Sequence, residues 1–315
     1  MSFTSEVKDE MARCEPECSH CAKATLAALV HIEGTLLYSG KGRYGLEIAT
    51  EVNPAARLAV KLLHEIYDLK TSVTFRRSVL HKTPNYLVRV PMQPGLPEAL
   101  IDLGILKPDG GLYTGIKPDL VAKLCCAAAY LRGAFLGSGF VSDPRGNYHF
   151  EITVEQEELA QGMVELMAMK GIHARVMQRR NSYMVYLKSG AHIADFLTFT
   201  QAHASALKIE DARVMKSVRN EVNRGINAEV ANQAKASKAA VEQIFAMRTV
   251  VEAYGMKNLP SGLQEIIRLR VAHPDVSLKE LGLMAKPPLS KSAVYHRIRR
   301  IEQMAKEAGQ KSGKL

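Results

Sequence analysis

Hydrogen-bonding and cationic side chains cluster in one short segment near the C-terminus, LSKSAVYHRIRRIE. In this segment, residues 292, 295, 296 and 299 have the spacing i, i+3, i+4 and i+7, which places them on one face of a helix. A helix that enters the major groove of DNA needs such a face, with hydrogen-bonding groups for base edges and cations for phosphates. The predicted DNA-binding residues are Ser290, Lys291, Ser292, Tyr295, His296, Arg297, Arg299 and Arg300.

The positive charge of the chain is concentrated in the same region. Residues 205–315 carry 20 basic and 11 acidic side chains, whereas residues 1–204 carry 22 basic and 21 acidic ones. Lys and Arg side chains that neutralise phosphates gain affinity by releasing counterions, so this excess favours double-stranded DNA as the partner. A solvated basic helix without a partner is the alternative. A membrane surface is disfavoured because the basic segment has no Trp/Phe-rich apolar face, and no small-molecule substrate is evident.

Three predicted helices position the candidate DNA-binding face. The segments SGLQ, which begins at Ser261, and SLKE, which begins at Ser277, have the spacing of a capping box. Pro274 and the pair Pro287-Pro288 interrupt the chain between helices. We therefore predict helices over residues 261–272, 277–285 and 290–304.

The third of these helices also has an apolar face. Val294, Ile298 and Ile301 recur at i, i+4 and i+7, opposite the polar face. Three helices with a short middle one are typical of a helix-turn-helix, here from about Val276 to Met304. A solvated amphipathic helix at the end of a bundle is the alternative. In the helix-turn-helix, the apolar face would pack on Ile266, Ile267, Leu278 and Leu281.

A duplicated unit accounts for the first two thirds of the chain. Leu26–Gly34 (LAALVHIEG) aligns without a gap with Leu131–Gly139 (LRGAFLGSG), and the same offset pairs Cys21 with Cys126. The apolar patterns that follow each copy predict the order α-β-β-α-β-β-α twice, over about residues 21–105 and 121–204. A glycine ends each motif, as expected for a residue with positive φ just past a helix.

Small residues on the two motif helices, Ala27 and Ala28 in one and Gly133 and Ala134 in the other, predict that the helices pack closely. The two motifs and their β units resemble the LAGLIDADG homing endonucleases. The resemblance implies that the motif helices pack together and that the two sheets form a saddle on DNA. Possible secondary DNA contacts on the strands of such a saddle are Arg76, Arg77, Arg179 and Arg180.

The same resemblance bears on catalysis through the eighth motif position. In LAGLIDADG nucleases this position is a carboxylate that binds a divalent ion, and one is needed for each DNA strand. Here it is Glu33 in the first copy and Ser138 in the second. A serine hydroxyl brings no charge to a hard cation, so we predict no catalytic residues and no enzyme activity. An active endonuclease that uses Glu33 with a substitute acid from outside the motif is the alternative.

The spacing of the first cysteines is compatible with a metal site, but the sequence does not show a complete set of ligands. Cys14, Cys18 and Cys21, with His20, form a closely spaced run, and zinc favours such thiolates. A structural zinc site needs four ligands. The repeat also makes Cys21 equivalent to Cys126, and cysteines at equivalent positions of a repeat are typical of small buried packing residues. We therefore predict no metal and no cofactor. Five cysteines, two of them adjacent, also do not indicate a disulfide framework, which fits a reducing cytoplasm.

The combination of degenerate LAGLIDADG repeats with this helix-turn-helix resembles the WhiA family, from SFTSEVKDEMAR to LSKSAVYHRIRRIE. The resemblance implies a bacterial transcriptional regulator linked to sporulation, cell division or chromosome segregation. It also implies an α+β fold with a homing-endonuclease-like domain that has lost cleavage and an all-α C-terminal domain similar to the promoter-reading region of sigma factors. The predicted parts are a domain over 1–204, a linker of helical pieces over 205–257 interrupted at Gly225, the helix-turn-helix over 258–304 and a basic tail over 305–315.

Location and partners follow from these predictions. The polar start MSFTSEVKDEM has no apolar signal core, and no apolar stretch approaches the roughly 18 residues of a membrane span. We therefore expect a cytoplasmic, nucleoid-associated protein whose partners are double-stranded DNA and other transcription proteins, with no membrane. A third hypothesis is a structural adaptor whose first domain binds protein, suggested by the near-neutral charge of residues 1–204.

Overall fold

The predicted pattern α-β-β-α-β-β-α occurs twice in the first part of the chain. This computed structural model describes residues 2–40, 42–77 and 84–312. The first copy consists of α2 (Ser19–Glu33), β1 (Gly34–Tyr38), β2 (Tyr44–Thr50), α3 (Asn53–Tyr67), β3 (Ser72–Arg77), β4 (Pro84–Val90) and α4 (Leu96–Asp102). The second consists of α5 (Leu124–Ser138), β5 (Gly139–Val141), β6 (Phe150–Val154), α6 (Glu157–Ala168), β7 (Arg175–Arg179), β8 (Ser182–Leu187) and α7 (Gly190–Phe199). A short helix, α1 (Phe3–Ala12), precedes both copies.

Each copy folds into one antiparallel sheet of four strands. The strand orders are β1-β2-β4-β3 and β5-β6-β8-β7, so the two sheets have the same topology. The registers agree as well, because Gly34 pairs with Ile48 in the first sheet and Gly139 pairs with Ile152 in the second. Both isoleucines are buried in the core shared by the helices and the sheets. The duplication predicted from the sequence is therefore a duplication of the fold.

The two motif helices, α2 and α5, pack directly against each other, as their small residues predicted. A Cβ atom at Gly133 would lie 2.5 Å from the carbonyl oxygen of Thr25 and 2.9 Å from the Cβ of Ala28. The Thr25 hydroxyl also donates a hydrogen bond of 3.1 Å to the carbonyl oxygen of Ala129 on the facing helix. Any side chain larger than hydrogen at Gly133 would therefore push the helices apart.

The glycines that end the two motifs have a different role from the predicted one. Gly34 and Gly139 have φ values of −86° and −69°, which all residues adopt readily. A Cβ atom would lie 2.3 Å from the carbonyl oxygen of Val30 at Gly34, and 2.3 Å from the ring of Phe135 at Gly139. The prediction of a positive φ was wrong, because these positions require glycine for lack of space.

Contacts divide the chain into residues 1–216 and residues 217–315, which we call the first and second units. The boundary lies inside α8 (His203–Tyr254), a single helix of 52 residues. The sequence predicted helical pieces interrupted at Gly225, and this was wrong. Gly225 is exposed and touches nothing, and one glycine in a helix interior costs only about 1 kcal/mol. Among the described residues, neither α8 nor any other helix combines the length and apolarity needed to cross a membrane.

The second unit contains α9 (Ser261–Ala272), α10 (Leu278–Met284) and α11 (Lys291–Ser312). Its apolar core joins these helices to the end of α8 and is separate from the core of the first unit. The predicted packing of the third helix on the first two is confirmed, whereas the contribution of α8 was not predicted. The buried members of this core are Met247, Val250, Leu259, Leu263, Ile266, Ile267, Leu281, Val294, Ile298 and Ile301.

One of the two predicted capping boxes forms. The Ser277 hydroxyl accepts the backbone N–H of Glu280 at 3.3 Å, and the Glu280 carboxylate accepts the backbone N–H of Ser277 at 3.0 Å. Ser261 instead is the first residue of α9, and its side chain caps nothing. The Gln264 amide donates to the carbonyl oxygen of Leu259 at 2.8 Å. The same spacing therefore predicted one cap correctly and one wrongly.

Candidate nucleic-acid interface

Helix α11 has one buried and one exposed face. Val294 is 0% exposed and Ile298 is 2% exposed, because both pack in the core of the second unit. The opposite side, which we call the exposed face of α11, has the spacing predicted for contact with DNA. Together with the residues beside it, the exposed set is Ser290, Lys291, Ser292, Tyr295, His296, Arg299 and Arg300.

Tyr295 and Arg299 hold each other at the centre of the exposed face. The Nε–H of Arg299 donates a hydrogen bond of 3.0 Å to the Tyr295 hydroxyl, and the guanidinium lies 5.6 Å from the centre of the ring. Arginine has five N–H donors, so four remain for an external acceptor such as a guanine base. Ordering these two side chains before binding reduces the entropy lost on binding.

Ser290 begins this helix rather than extending its exposed face. Its hydroxyl accepts the backbone N–H of Ala293 at 3.2 Å, which is the geometry of a helix N-cap. Lys291 and Ser292 follow in the first turn and are exposed. The N-terminal end of a helix favours anions, so this end of α11 suits a backbone phosphate.

The turns on either side of α10 are fixed by internal contacts. The buried guanidinium of Arg270 donates to the carbonyl oxygens of Val276 at 2.6 Å and Pro274 at 3.3 Å, which closes the turn before α10. After α10, the backbone N–H of Leu289 donates to the carbonyl oxygen of Gly282 at 2.8 Å. A Cβ atom at Gly282 would lie 2.3 Å from the Leu289 carbonyl oxygen, so only glycine fits. These contacts fix α11 relative to α9 and α10.

Arg297 differs from the rest of the predicted set. Its guanidinium packs on Gly262 and donates to the carbonyl oxygen of that residue at 3.3 Å. It also lies 3.7 Å from the Glu265 carboxylate on α9. Its side chain is 31% exposed, which places it between the buried and exposed faces of α11. The sequence pattern showed the cation but not its partner, so the contacts favour Arg297 as a link between helices.

At the C-terminal ends of the motif helices, the polar groups are satisfied within the protein. The Ser138 hydroxyl donates to the carbonyl oxygen of Thr153 at 2.6 Å and accepts the backbone N–H of the same residue at 3.2 Å. It therefore joins α5 to β6. The position that a metal-binding carboxylate would occupy in a LAGLIDADG nuclease is used here to hold a strand.

A lysine that the sequence did not single out lies at the same end of the motif helices. Lys8 of α1 is 7% exposed, and its ammonium donates to the carbonyl oxygen of Gly137 at 2.8 Å. Burial raises the pKa of Glu33 to about 7, an effect that Lys8 opposes and Glu51 strengthens. Burial also lowers the pKa of Lys8 to about 8. A protein cation therefore interacts with the one acidic motif residue.

The predicted secondary contacts lie on edge strands or their turns. Arg76 on β3 and Arg179 on β7 are exposed, as is Arg180 in the turn that follows β7. Arg77 ends β3, and its side chain lies outside the described residues. In the first sheet Arg89 pairs with the Glu47 carboxylate at 2.6 Å, whereas Arg175 on β7 of the second sheet is exposed. The exposed arginines of the edge strands are the residues that we propose for secondary contacts with DNA.

The cysteines are arranged differently from the prediction. The sequence run suggested a partial site of Cys14, Cys18, Cys21 and His20, with no complete set of four thiolates. The structure instead brings together two cysteines from each repeat, with all four sulfur atoms within 4.8 Å of one another. The prediction that the cysteines do not form a set of four ligands was therefore wrong, because two of the sulfurs come from a second segment of the chain. The four are Cys18, Cys21, Cys125 and Cys126.

A duplicated αββαββα fold with packed motif helices, followed by a helix-turn-helix, defines a LAGLIDADG-like protein with an appended helix-turn-helix domain. Three family models match the chain. They are the WhiA N-terminal LAGLIDADG-like domain over residues 19–106, the WhiA LAGLIDADG-like domain over 127–219 and the WhiA C-terminal HTH domain over 222–305. The chain belongs to the WhiA family.

Individual relatives agree with this assignment. A probable cell division protein WhiA of Desulforamulus reducens is 42% identical over 100% of this chain and 98% of its own length. A protein of the same name from Desulforudis audaxviator is 44% identical over 97% of each chain. A crystal structure of full-length WhiA from Thermatoga maritima has the same fold, with a TM-score of 0.60 at 23% identity, covering 98% of this chain and 99% of that one.

Proposed function

We propose that this protein is a sequence-specific regulator that binds duplex DNA through the exposed face of α11 and does not cut it. The observation that carries the proposal is a helix fixed by Val294 and Ile298 on one side, with Tyr295 and Arg299 exposed and held together on the other. Contacts of this kind to base edges would supply sequence information, while the exposed Lys291 and Arg300 would contact phosphates. The family's C-terminal HTH domain supports the same conclusion.

The cellular role follows from the relatives. Proteins about 40% identical over nearly the whole chain are named probable cell division proteins. We infer that this chain also acts in cell division, by controlling genes from bound sites on the chromosome together with other transcription proteins. It would then associate with the nucleoid. A fluorescent fusion should follow the stained nucleoid, and an Arg299→Ala, Arg300→Ala double variant should spread through the cell.

The proposal that the protein does not cut DNA rests on the residues at the C-terminal ends of the motif helices. Hydrolysis on both strands needs a divalent ion and an activated water at each scissile phosphate. Ser138 supplies no charge and is bound to the backbone of Thr153, and Glu33 interacts with the buried Lys8 ammonium. A carboxylate with a pKa of about 7 is also partly protonated at neutral pH, which weakens it as a ligand for a hard cation.

A cleavage assay tests this part of the proposal against an active endonuclease. Chromosomal sites of the intact protein would be mapped, and duplexes that carry them would be incubated with the protein and Mg²⁺ or Mn²⁺. We expect binding and intact DNA. Reproducible double-strand breaks that disappear in Glu33→Gln and persist in Ser138→Ala would instead establish the endonuclease, with a substitute for the second carboxylate.

We propose that the first unit adds only secondary contacts to DNA. Residues 1–204 have nearly balanced charge, whereas residues 205–315 hold the basic excess. Since phosphate contacts dominate non-specific affinity, residues 205–315 alone should keep most of the affinity of the full chain. The matched fragment 1–204 should bind weakly at physiological salt. If that fragment binds nearly as tightly as the full chain, its exposed arginines form a working saddle.

A further inference from the structure

Four cysteines from the two repeats meet at one place in the first unit. The Cys18 sulfur lies 3.4 Å from that of Cys21, 3.8 Å from that of Cys125 and 3.7 Å from that of Cys126. Every pair of the four sulfurs lies within 4.8 Å. We propose that these four thiolates bind one structural zinc ion, which joins the two repeats.

The distances fit a single tetrahedral ion. Four sulfurs at about 2.3 Å from one zinc ion are about 3.8 Å apart at the corners of a tetrahedron. Two of the separations from Cys18, 3.7 and 3.8 Å, agree with that value, and the third, 3.4 Å to Cys21, is slightly shorter. An iron–sulfur cluster with four irons would hold its thiolates farther apart, because each thiolate binds a different iron. A set of four cysteines is also a common ligand set of structural zinc sites.

The fold explains why these residues converge. Cys18 is the N-cap residue of α2, and Cys21 lies in the first turn of that helix. Cys125 and Cys126 lie in the first turn of α5. Because α2 and α5 pack closely along their length, their N-terminal ends meet and bring both pairs together. Repeat equivalence accounts for Cys21 and Cys126, and one neighbouring cysteine from each helix completes the set.

Helix ends also stabilise the charge that such a site carries. Four thiolates bring four negative charges and one zinc ion returns only two positive ones. The N-terminal end of a helix carries a partial positive charge. Here two helices of 15 residues each point that end at the cysteines. The two helix ends therefore offset part of the net negative charge of four thiolates and one zinc ion.

Burial and the neighbouring residues fit a structural ion with limited access. Cys21 and Cys126 are buried, whereas Cys18 and Cys125 are half-buried, so the site has one side toward solvent. The fifth cysteine, Cys14, lies elsewhere, since its thiol contacts the carbonyl oxygens of Glu10 and Gln201 at 3.5 Å. All four ligand positions are filled by protein, which leaves none for a substrate.

The proposed ion lies at the opposite end of the motif helices from Glu33 and Ser138. Helices of 15 residues separate the two ends by about 22 Å. A metal here therefore has no part in DNA hydrolysis at the motif positions. Its effect is to link two segments about a hundred residues apart in sequence, which fixes how one repeat lies on the other.

Metal analysis of the full-length protein tests the proposal. Protein purified under reducing conditions from zinc-containing medium, then dialysed against a chelator, should retain one zinc per chain by elemental analysis. Cys126→Ser and Cys18→Ser should release zinc to a colorimetric chelator at least about tenfold faster than the wild-type protein. Cys14→Ser is the matched control and should retain zinc as the wild-type protein does.

A spectroscopic readout separates ligation from folding. Cobalt(II) added to the metal-free wild-type protein should give the thiolate charge-transfer and intense visible bands of a tetrahedral sulfur site, and zinc should remove them. The half-buried Cys125→Ser provides a second variant if Cys126→Ser fails to fold, and it should weaken the charge-transfer band. Wild-type protein without zinc, iron in its place, or cysteine variants that keep full zinc content would each overturn the proposal.

Discussion

Polar side chains lie both at the C-terminal ends of the motif helices and on the exposed face of α11. Those at the motif helices are hydrogen-bonded to the backbone of the protein, whereas those on α11 are exposed. In the first unit, Ser138 binds the backbone of Thr153 and the Lys8 ammonium binds the carbonyl oxygen of Gly137. On α11, the Arg299 guanidinium donates to the Tyr295 hydroxyl, and both side chains remain exposed. Polar groups that are satisfied internally hold a fold together, whereas exposed donors are available to a ligand. These contacts favour a structural role for Ser138 and Lys8, and the exposed donors support the proposal that α11 binds DNA.

The largest effect should come from breaking the core beneath α11. Val294→Asp buries a charge without a partner, and we expect it to destabilise the second unit by about 4 kcal/mol or more. Thermal unfolding followed by circular dichroism should lose the transition of the second unit and keep that of the first. DNA binding of both specific and random sequences should disappear. A folded variant that binds DNA normally would contradict the proposal that α11 binds DNA.

A second change tests the structural role of the motif helices. Gly133→Ala places a Cβ atom 2.5 Å from the carbonyl oxygen of Thr25, so α2 and α5 must separate. We expect a loss of about 2–3 kcal/mol in the unfolding free energy of the first unit. Gly225→Ala is the matched control, because nothing lies near that position in α8, and it should stabilise the helix by about 0.5–1 kcal/mol. Equal effects of the two variants in denaturant titrations would contradict the close packing.

We expect His31 to make the unfolding free energy of the first unit depend on pH. Its Nε2 donates to the carbonyl oxygen of Gly104 at 3.1 Å, and its Nδ1 accepts the Tyr130 hydroxyl at 2.9 Å. Burial lowers the pKa of His31 to about 4 from its usual 6.5, so the folded protein holds the neutral ring. The contribution of the neutral His31 ring to the free energy of unfolding is complete above pH 6.5 and is lost as the pH falls toward 4.

We therefore expect the unfolding free energy to fall by about 1–3 kcal/mol across that range because of this histidine. His31→Gln keeps one donor and one acceptor and should flatten the fall, as measured by denaturant titrations at each pH. His20→Gln, at an exposed residue, is the matched control. An unchanged profile in His31→Gln would assign the acid sensitivity to other groups.

The sequence predicted those parts of the fold that depend on local patterns. The spacing of Val294 and Ile298 was enough to orient α11, because helical periodicity is set within a few residues. The repeat also gave the element order, because both copies obey the same apolar alternation. The capping rule was less dependable, since Ser277 forms its box and Ser261 does not. In that case the backbone conformation before the helix decides the outcome.

Features that depend on distant parts of the chain were missed. The segment that forms α1 gave no signal that Lys8 would lie beside residues of α5, more than a hundred positions away. The cysteine set was missed for the same reason, because two ligands come from each repeat. Arg297 was grouped with the DNA contacts because its partner, Glu265, lies on another helix. Such pairings follow from how helices pack, which periodicity alone does not give.

The central claim is that α11 recognises DNA sequence through Tyr295 and Arg299. Binding of full-length Arg299→Ala and Arg300→Ala to target and scrambled duplexes, measured over a salt series, tests it most directly. Arg299→Ala should weaken the target by about 1–3 kcal/mol and bring it closer to scrambled DNA. Arg300→Ala should weaken both duplexes alike and lower the salt slope by about one unit. If Arg299→Ala and Tyr295→Ala fold normally and still discriminate fully between the duplexes, α11 does not recognise the sequence.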